Sequence, residues 1–310
     1  MRRWLLILVV AITTLPWLSS TGQAFAQVKQ APASLVKANA ATTPADFAGA
    51  ETCTLCHAEV AKKFSSNPHS QLAQMHGGKG VTCESCHGPG QAHVESGGDP
   101  TKIRQLSKMT AAQVDNTCLG CHASAHPNFL RSEHGKAGVG CTSCHSVHNG
   151  TTSPEGAATL LKVEQPKLCF TCHAEVKGSF SQPFHHKVDE GLVKCSDCHD
   201  VHGTFGNNNI KSTADKNAVC TKCHTETRGP FVFEHAPVKA DGCMSCHTPH
   251  GSQNARLLNV PNINQLCNQC HSPVSGSTVH GMNAGSSDVE PCISCHTMIH
   301  GSNINPAFIR

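Results

Sequence analysis

The stretch CTSCHSVHNG, residues 141–150, sets two cysteines three positions apart, a histidine directly after the second, and another histidine three residues on. The first half of that pattern recurs ten times. Cys53 and Cys56 precede His57; Cys83 and Cys86 precede His87; Cys118 and Cys121 precede His122; Cys141 and Cys144 precede His145; Cys169 and Cys172 precede His173. The same unit continues with Cys195, Cys198 and His199; Cys220, Cys223 and His224; Cys243, Cys246 and His247; Cys267, Cys270 and His271; and Cys292, Cys295 and His296. These sites use up all 20 cysteines.

A lone C-x-x-C pair would be compatible with zinc, a redox dithiol or disulfides. A histidine after every one of ten pairs has a chance probability on the order of 10⁻¹¹, and C-x-x-C-H is the attachment signature of c-type haem. The chemistry needs this spacing. Two thiols bond to the two vinyl groups on one porphyrin edge, and positions i, i+3 and i+4 share a helical face, so the histidine reaches the iron from below the ring. The reading is ten covalently bound haem c groups, with the ten motif histidines as proximal iron ligands.

The motifs fall into pairs whose first cysteines stand at 53, 118, 169, 220 and 267, an internal repeat with a period of 51, 51 and 47 residues from the second pair onward. After each first motif a histidine follows at about a dozen residues: His69, His134, His185, His235 and His280. After each second motif one arrives sooner, as His93, His148, His202, His250 and His300. Ten histidines in phase with ten motifs are read as the distal ligands. His148 is too close to His145 to bind the far side of the same ring. The simplest expectation is a crossed pair, with His148 serving the first haem of its own repeat and His134 the second. Three histidines remain, His76, His126 and His186. His185 is preferred to His186 because HHKV (185–188) aligns with HAPV (235–238). His69 is preferred to His76 because CHAEVAKKFSSNPH (56–69) aligns with CHAEVKGSFSQPFH (172–185), and His126 is an alternative to His134.

The rest of the chain is consistent with a haem-filled interior. Aromatic residues make up 4% of the sequence, with no tyrosine, so something else must occupy the core. Residues 1–26 read as a signal peptide: Arg2 and Arg3, then a largely apolar run from Trp4 to Leu18, then Ala24-Phe25-Ala26 as a small-x-small cleavage site. The run is short of the ~20 residues of a spanning helix. Residues 27–49 read as a flexible leader, and 50–310 as the decahaem domain, with haem-pair repeats at about 50–100, 115–150, 166–205, 217–252 and 264–302. Lys and Arg number 24 against 21 acidic residues, and no basic run suggests nucleic-acid binding. Gly-, Pro-, Asn- and Ser-rich gaps such as HGPG (87–90) predict turns. Alternating strand patterns are absent. The expected fold class is a multihaem cytochrome c of short α-helices and coil, with little or no β-sheet, in an elongated array of five two-haem repeats. Thr110-x-x-Gln113 predicts a capping-box helix start ahead of Cys118.

With ten motifs in five doubled units, CESCHGPGQAH (83–93), and CHxxHG at 199–203 and 247–251, the chain resembles the periplasmic decahaem c-type cytochromes of the MtrA/DmsE/PioA type over about residues 50–301. His93 and His300 depart from the three-residue spacing. The resemblance implies an electron-transfer conduit, not an enzyme, located in the periplasm and associated with the outer membrane. Its implied partners are an outer-membrane β-barrel porin, a surface multihaem cytochrome or terminal reductase, and periplasmic or inner-membrane cytochromes. The alternative is a multihaem oxidoreductase of the nitrite or hydroxylamine type with one open haem. Such an enzyme usually marks its catalytic haem by a changed proximal or missing distal ligand, whereas all ten motifs here end in histidine.

Overall fold

The computed structural model describes residues 43–75, 81–148, 160–204, 206–211, 214–271 and 290–310. The expected signal peptide, the leader as far as residue 42, and the candidate ligands His76 and His280 lie outside them. The chain divides into a unit of residues Met1–Thr43 and a unit Pro44–Arg310, which carries all ten motifs. Within the second unit the N–H groups of Ala48 and Gly49 donate to the carboxylate of Glu84 at 2.9 and 3.2 Å, anchoring the last residues of the expected leader to the second motif.

Short helices and coil make up the haem unit. Among the described residues there is no β-strand, only five isolated β-bridges. The longest described helix, Ala111–His122, has 12 residues. It starts as a capping box: the Thr110 hydroxyl accepts from the Gln113 N–H at 3.4 Å, and the Gln113 side chain accepts from the Thr110 N–H at 2.9 Å. The other helices are held to about two turns or less, because each motif arrives within a few residues of a Gly, Pro or Asn turn.

Each motif is itself a turn of helix. In eight of them the histidine N–H donates to the first cysteine's carbonyl at 2.9–3.1 Å. The other two lie inside the helices Cys83–His87 and Ala111–His122. Both thiols and the imidazole therefore leave the backbone on one side, as attachment to a porphyrin requires.

Almost no polypeptide core exists. Among the described residues the buried apolar side chains are Val114, Phe129, Phe180 and Val188. Instead, a continuous cavity of about 4030 Å³ runs past motif residues of all five repeats, several times the ~300–1,000 Å³ of an ordinary small-molecule pocket.

Each repeat is fastened to the next. Phe184 pairs with Ser252, and Phe233 with Ser302, as isolated bridges from one repeat to its successor. The Asn67 side-chain amide donates to the carbonyl of Val147, and the Val232 N–H donates to Asn303 Oδ1 at 2.9 Å. These contacts give the repeat its nearest-neighbour character.

Candidate haem-binding sites

The structure sets nine of the ten motif histidines opposite a histidine from outside the motifs. Ring centres lie 6.4 Å apart for His57 and His93, 5.8 Å for His122 and His69, and 6.0 Å for His87 and His148. The series continues at 6.1 Å for His173 and His134, 6.1 Å for His145 and His202, and 6.2 Å for His224 and His186. It ends at 6.0 Å for His199 and His250, 6.2 Å for His271 and His235, and 6.3 Å for His247 and His300. Two imidazoles on opposite sides of one metal ion, each bound at about 2 Å, have ring centres about 6 Å apart. The residues present therefore fit bis-histidine haem iron. The tenth motif histidine, His296, is described, but its sequence-expected partner His280 is not.

The pairing differs from the crossed arrangement expected within a repeat. His134 faces His173 of the following repeat, and His148 faces His87 of the preceding one. The rule is general. The later histidine after a first motif reaches forward to the next repeat's first motif; the early histidine after a second motif reaches back to the previous repeat's second motif. Among the described residues His93 alone turns back on its own repeat, to His57, since no earlier repeat exists to supply that ring.

Hydrogen bonds explain the reach. His134 Nδ1 donates to the carbonyl of Val201 at 3.1 Å, and His186 Nδ1 donates to that of Pro249. His235 makes the same bond to the backbone of Ile299. In each case the acceptor immediately precedes the early histidine of the next repeat: His202, His250 and His300. His69 reaches Val147, before His148, through the bridging side chain of Asn67. One backbone segment thus sets two distal rings, and a carbonyl holding Nδ1–H leaves Nε2 free for a metal.

The second-motif histidines are oriented likewise. His87 donates to the carbonyl of Arg104 at 2.9 Å, His199 to Asn208 at 2.8 Å, His247 to Arg256 at 2.8 Å, and His296 to Ala307 at 2.6 Å. Asn208 and Arg256 sit in the left-handed region, with φ of 54° and 59°. That conformation is unfavourable for arginine, and here it turns the carbonyl onto the ring.

His185 is the one described residue of the expected distal set that faces no motif histidine. Its Nδ1 bonds to the Gln182 carbonyl at 2.6 Å and its Nε2 to Glu190 at 3.2 Å, so both nitrogens are occupied locally. His186 takes the place facing His224. The HAPV alignment put His185 against His235, whereas it is His186 that bonds the next repeat's backbone at Pro249 as His235 does at Ile299. His126, the alternative to His134, stands 6.2 Å from the motif histidine His122 and packs its ring on His202 at 3.9 Å, while His134 faces His173.

Burial favours the neutral form of six of these rings. It lowers the pKa of His69, His148, His235, His250 and His300, and takes His202 to about 4, with His126 and His145 adding to the effect. A neutral imidazole is the ligating form, so these rings are ready to bind metal at neutral pH.

The thiols succeed one another in sequence order. Within each repeat the first cysteines of the two motifs are neighbours that influence each other's ionisation: Cys53 and Cys83, Cys118 and Cys141, Cys169 and Cys195, Cys220 and Cys243, and Cys267 and Cys292. Between repeats, Cys86 interacts with Cys118, Cys144 with Cys172, Cys198 with Cys220, and Cys246 with Cys270. No group of three or more His, Cys, Asp or Glu side chains among the described residues is placed to chelate a metal ion, as a zinc ribbon would require.

A feature missed in the sequence binds the two motifs of a pair. Asp115, Asn217 and Asn264 each stand three residues before a first-motif cysteine, and each accepts the N–H of the second motif's first cysteine: Cys141 at 2.7 Å, Cys243 at 2.9 Å and Cys292 at 2.9 Å. The recurrence of Asp or Asn at that position was the available signal.

The doubled CXXCH motif family matches residues 134–178, 185–229 and 235–276, and the cytochrome c554 and c-prime family matches 15–88 and 92–146. The multiheme cytochrome MtrA of Shewanella baltica is 30% identical over 82% of this chain and 79% of its own length. The chain belongs to the MtrA-type multihaem cytochromes. It is an electron-transfer cytochrome carrying haem c. The C-type polyheme cytochrome OmcC of Geobacter sulfurreducens is 24% identical over 80% of this chain and 37% of its own length. The cytochrome c-type protein NrfB of Escherichia coli is 26% identical over 40% of this chain and 72% of NrfB.

Proposed function

We propose that this cytochrome is a non-catalytic conduit that passes electrons through ten bis-histidine haems, in sequence order, between periplasmic carriers and an outer-membrane or extracellular partner. The observation that carries the reading is the set of nine ring pairs at 5.8–6.4 Å, linked by thiols that adjoin one another from motif to motif. Haem c iron supplies one-electron oxidation and reduction. The protein supplies two imidazoles per iron, which leave no position for a substrate, and a fixed order of neighbours. The tenth iron takes His296 and His280. All 20 cysteines serve attachment, and the N-terminal 26 residues direct export.

No helix among the described residues is long and apolar enough to cross a membrane. To carry electrons across one, the chain needs a sleeve that keeps its polar backbone from lipid, and the interior of a large closed β-barrel is such a sleeve. We place it within, or at the periplasmic mouth of, an outer-membrane porin.

Intact-mass measurement of the exported protein should show ten porphyrin increments. Its electronic and spin-resonance spectra should be entirely low-spin. Ala at His186 should turn about one haem in ten high-spin, while Ala at His185 should leave the spectrum unchanged. A high-spin haem in the wild type would mark an open site and favour the oxidoreductase reading.

A further inference from the structure

The clamp between the two motifs of a repeat is chemically different from repeat to repeat. In the fourth and fifth repeats it is an amide, Asn217 or Asn264; in the second it is the carboxylate of Asp115. Asp115 is 3% exposed, and among the described residues no ion pair includes it. Its Oδ1 accepts the Cys141 N–H at 2.7 Å, and its side chain also bonds the Cys141 thiol, the atom that becomes the haem thioether. Cys118, which anchors the other haem of the pair, feels the same charge.

The fit is close enough to dictate its neighbour. A Cβ on Gly140 would stand 2.7 Å from Asp115 Oδ1 and 3.0 Å from the Ala111 Cβ. Gly242 leaves the same space for Asn217, whose Oδ1 would lie 3.0 Å from an added Cβ. The two clamps are thus geometric equivalents that differ in charge.

We propose that Asp115 sets the reduction potentials of the haem pair in the second repeat below those of the amide-clamped pairs in the fourth and fifth. The inference rests on the electron-conduit reading and adds a direction to it. Oxidised haem iron carries one more positive charge than reduced iron. A fixed anion at the thioether edge, removed from water, favours the oxidised form and is weakly screened by salt. Electrons run toward higher potential, so the path from the second repeat to the fourth and fifth is downhill. Lys162, a cation acting on Cys144, and Asp215, a carboxylate acting on Cys220 and Cys243, are both exposed to solvent and screened, so neither removes the contrast. The first repeat is outside the comparison, because its buried carboxylate Glu84 accepts the N–H groups of Ala48, Gly49 and Gly90 and does not clamp one motif cysteine to the other.

The test is a spectroelectrochemical titration of full-length, haem-loaded protein, with haem number checked by mass. Asp115→Asn keeps the acceptor oxygen and removes the charge. About a fifth of the haem absorbance should move to higher potential, by about tenfold in the redox equilibrium, or about 59 mV for one electron. Asn217→Asp should move a similar fraction the opposite way, and Asn264→Asp should do the same in the fifth repeat. Should Asp115→Asn load fewer haems, the two Asn→Asp variants decide, since each adds charge to a clamp already neutral. Fully loaded variants that titrate as wild type, or that all shift in one direction, overturn the assignment while leaving the conduit reading intact. A wild type whose haems do not each exchange one electron would instead defeat the conduit reading itself.

Discussion

Vesicles carrying this cytochrome together with the outer-membrane β-barrel proposed as its sleeve should let an electron donor outside reduce a dye sealed inside, whereas vesicles with cytochrome alone or barrel alone should not. The expected contrast is more than tenfold in rate, because each component lacks what the other has. A barrel without redox centres offers no route for electrons through a hydrocarbon layer of about 30 Å. The cytochrome, for its part, consists of short helices and turns whose backbone groups cannot all be satisfied against lipid. Its described helices reach 12 residues at most, too short to span. Dye reduction by cytochrome alone would show that no sleeve is needed. Failure of the pair, in vesicles where both are assembled and every haem is reducible, would sink the conduit reading.

The second large effect concerns folding. Produced without haem attachment, residues 44–310 should give no cooperative thermal transition and little of the helical circular-dichroism signal of the mature protein. Four buried apolar side chains among the described residues cannot offset the conformational entropy of ordering a chain of this length. The exposed Leu55, Leu192, Val232 and Met244 are further apolar side chains that the polypeptide alone does not cover. Porphyrins in the 4030 Å³ cavity replace the missing core. A haem-free chain that melts cooperatively would mean that the hydrogen-bonded turns hold the fold without it.

The fold class was legible because attachment chemistry is local. A thiol pair and its histidine must lie within one helical turn, so C-x-x-C-H states its own geometry, and ten copies leave too few residues per haem for an ordinary core. The capping box at Thr110 was legible for the same reason, its two hydrogen bonds spanning three residues. The period of the motifs likewise marked the repeats, and the phase of the extra histidines marked most of the rings that now face a motif histidine.

Partnership was not legible. Whether His134 faces a ring 11 residues ahead or 39 depends on where the next repeat docks, and spacing carries no record of that. The contacts that decide it, such as His134 to Val201 and Asn67 to Val147, bridge 67 and 80 residues and end on backbone carbonyls, which every residue possesses. The choice of His186 over His185 has the same origin: adjacent side chains diverge, and only the position of Pro249 determines which one meets His224. By itself the sequence determined the ten C-x-x-C-H motifs and a helix-and-coil architecture built on repeated pairs, all consequences of bonding within a few residues. The tertiary structure alone decided which histidines face each other and which oxygen clamps each pair, because those choices are made by docking one repeat on the next.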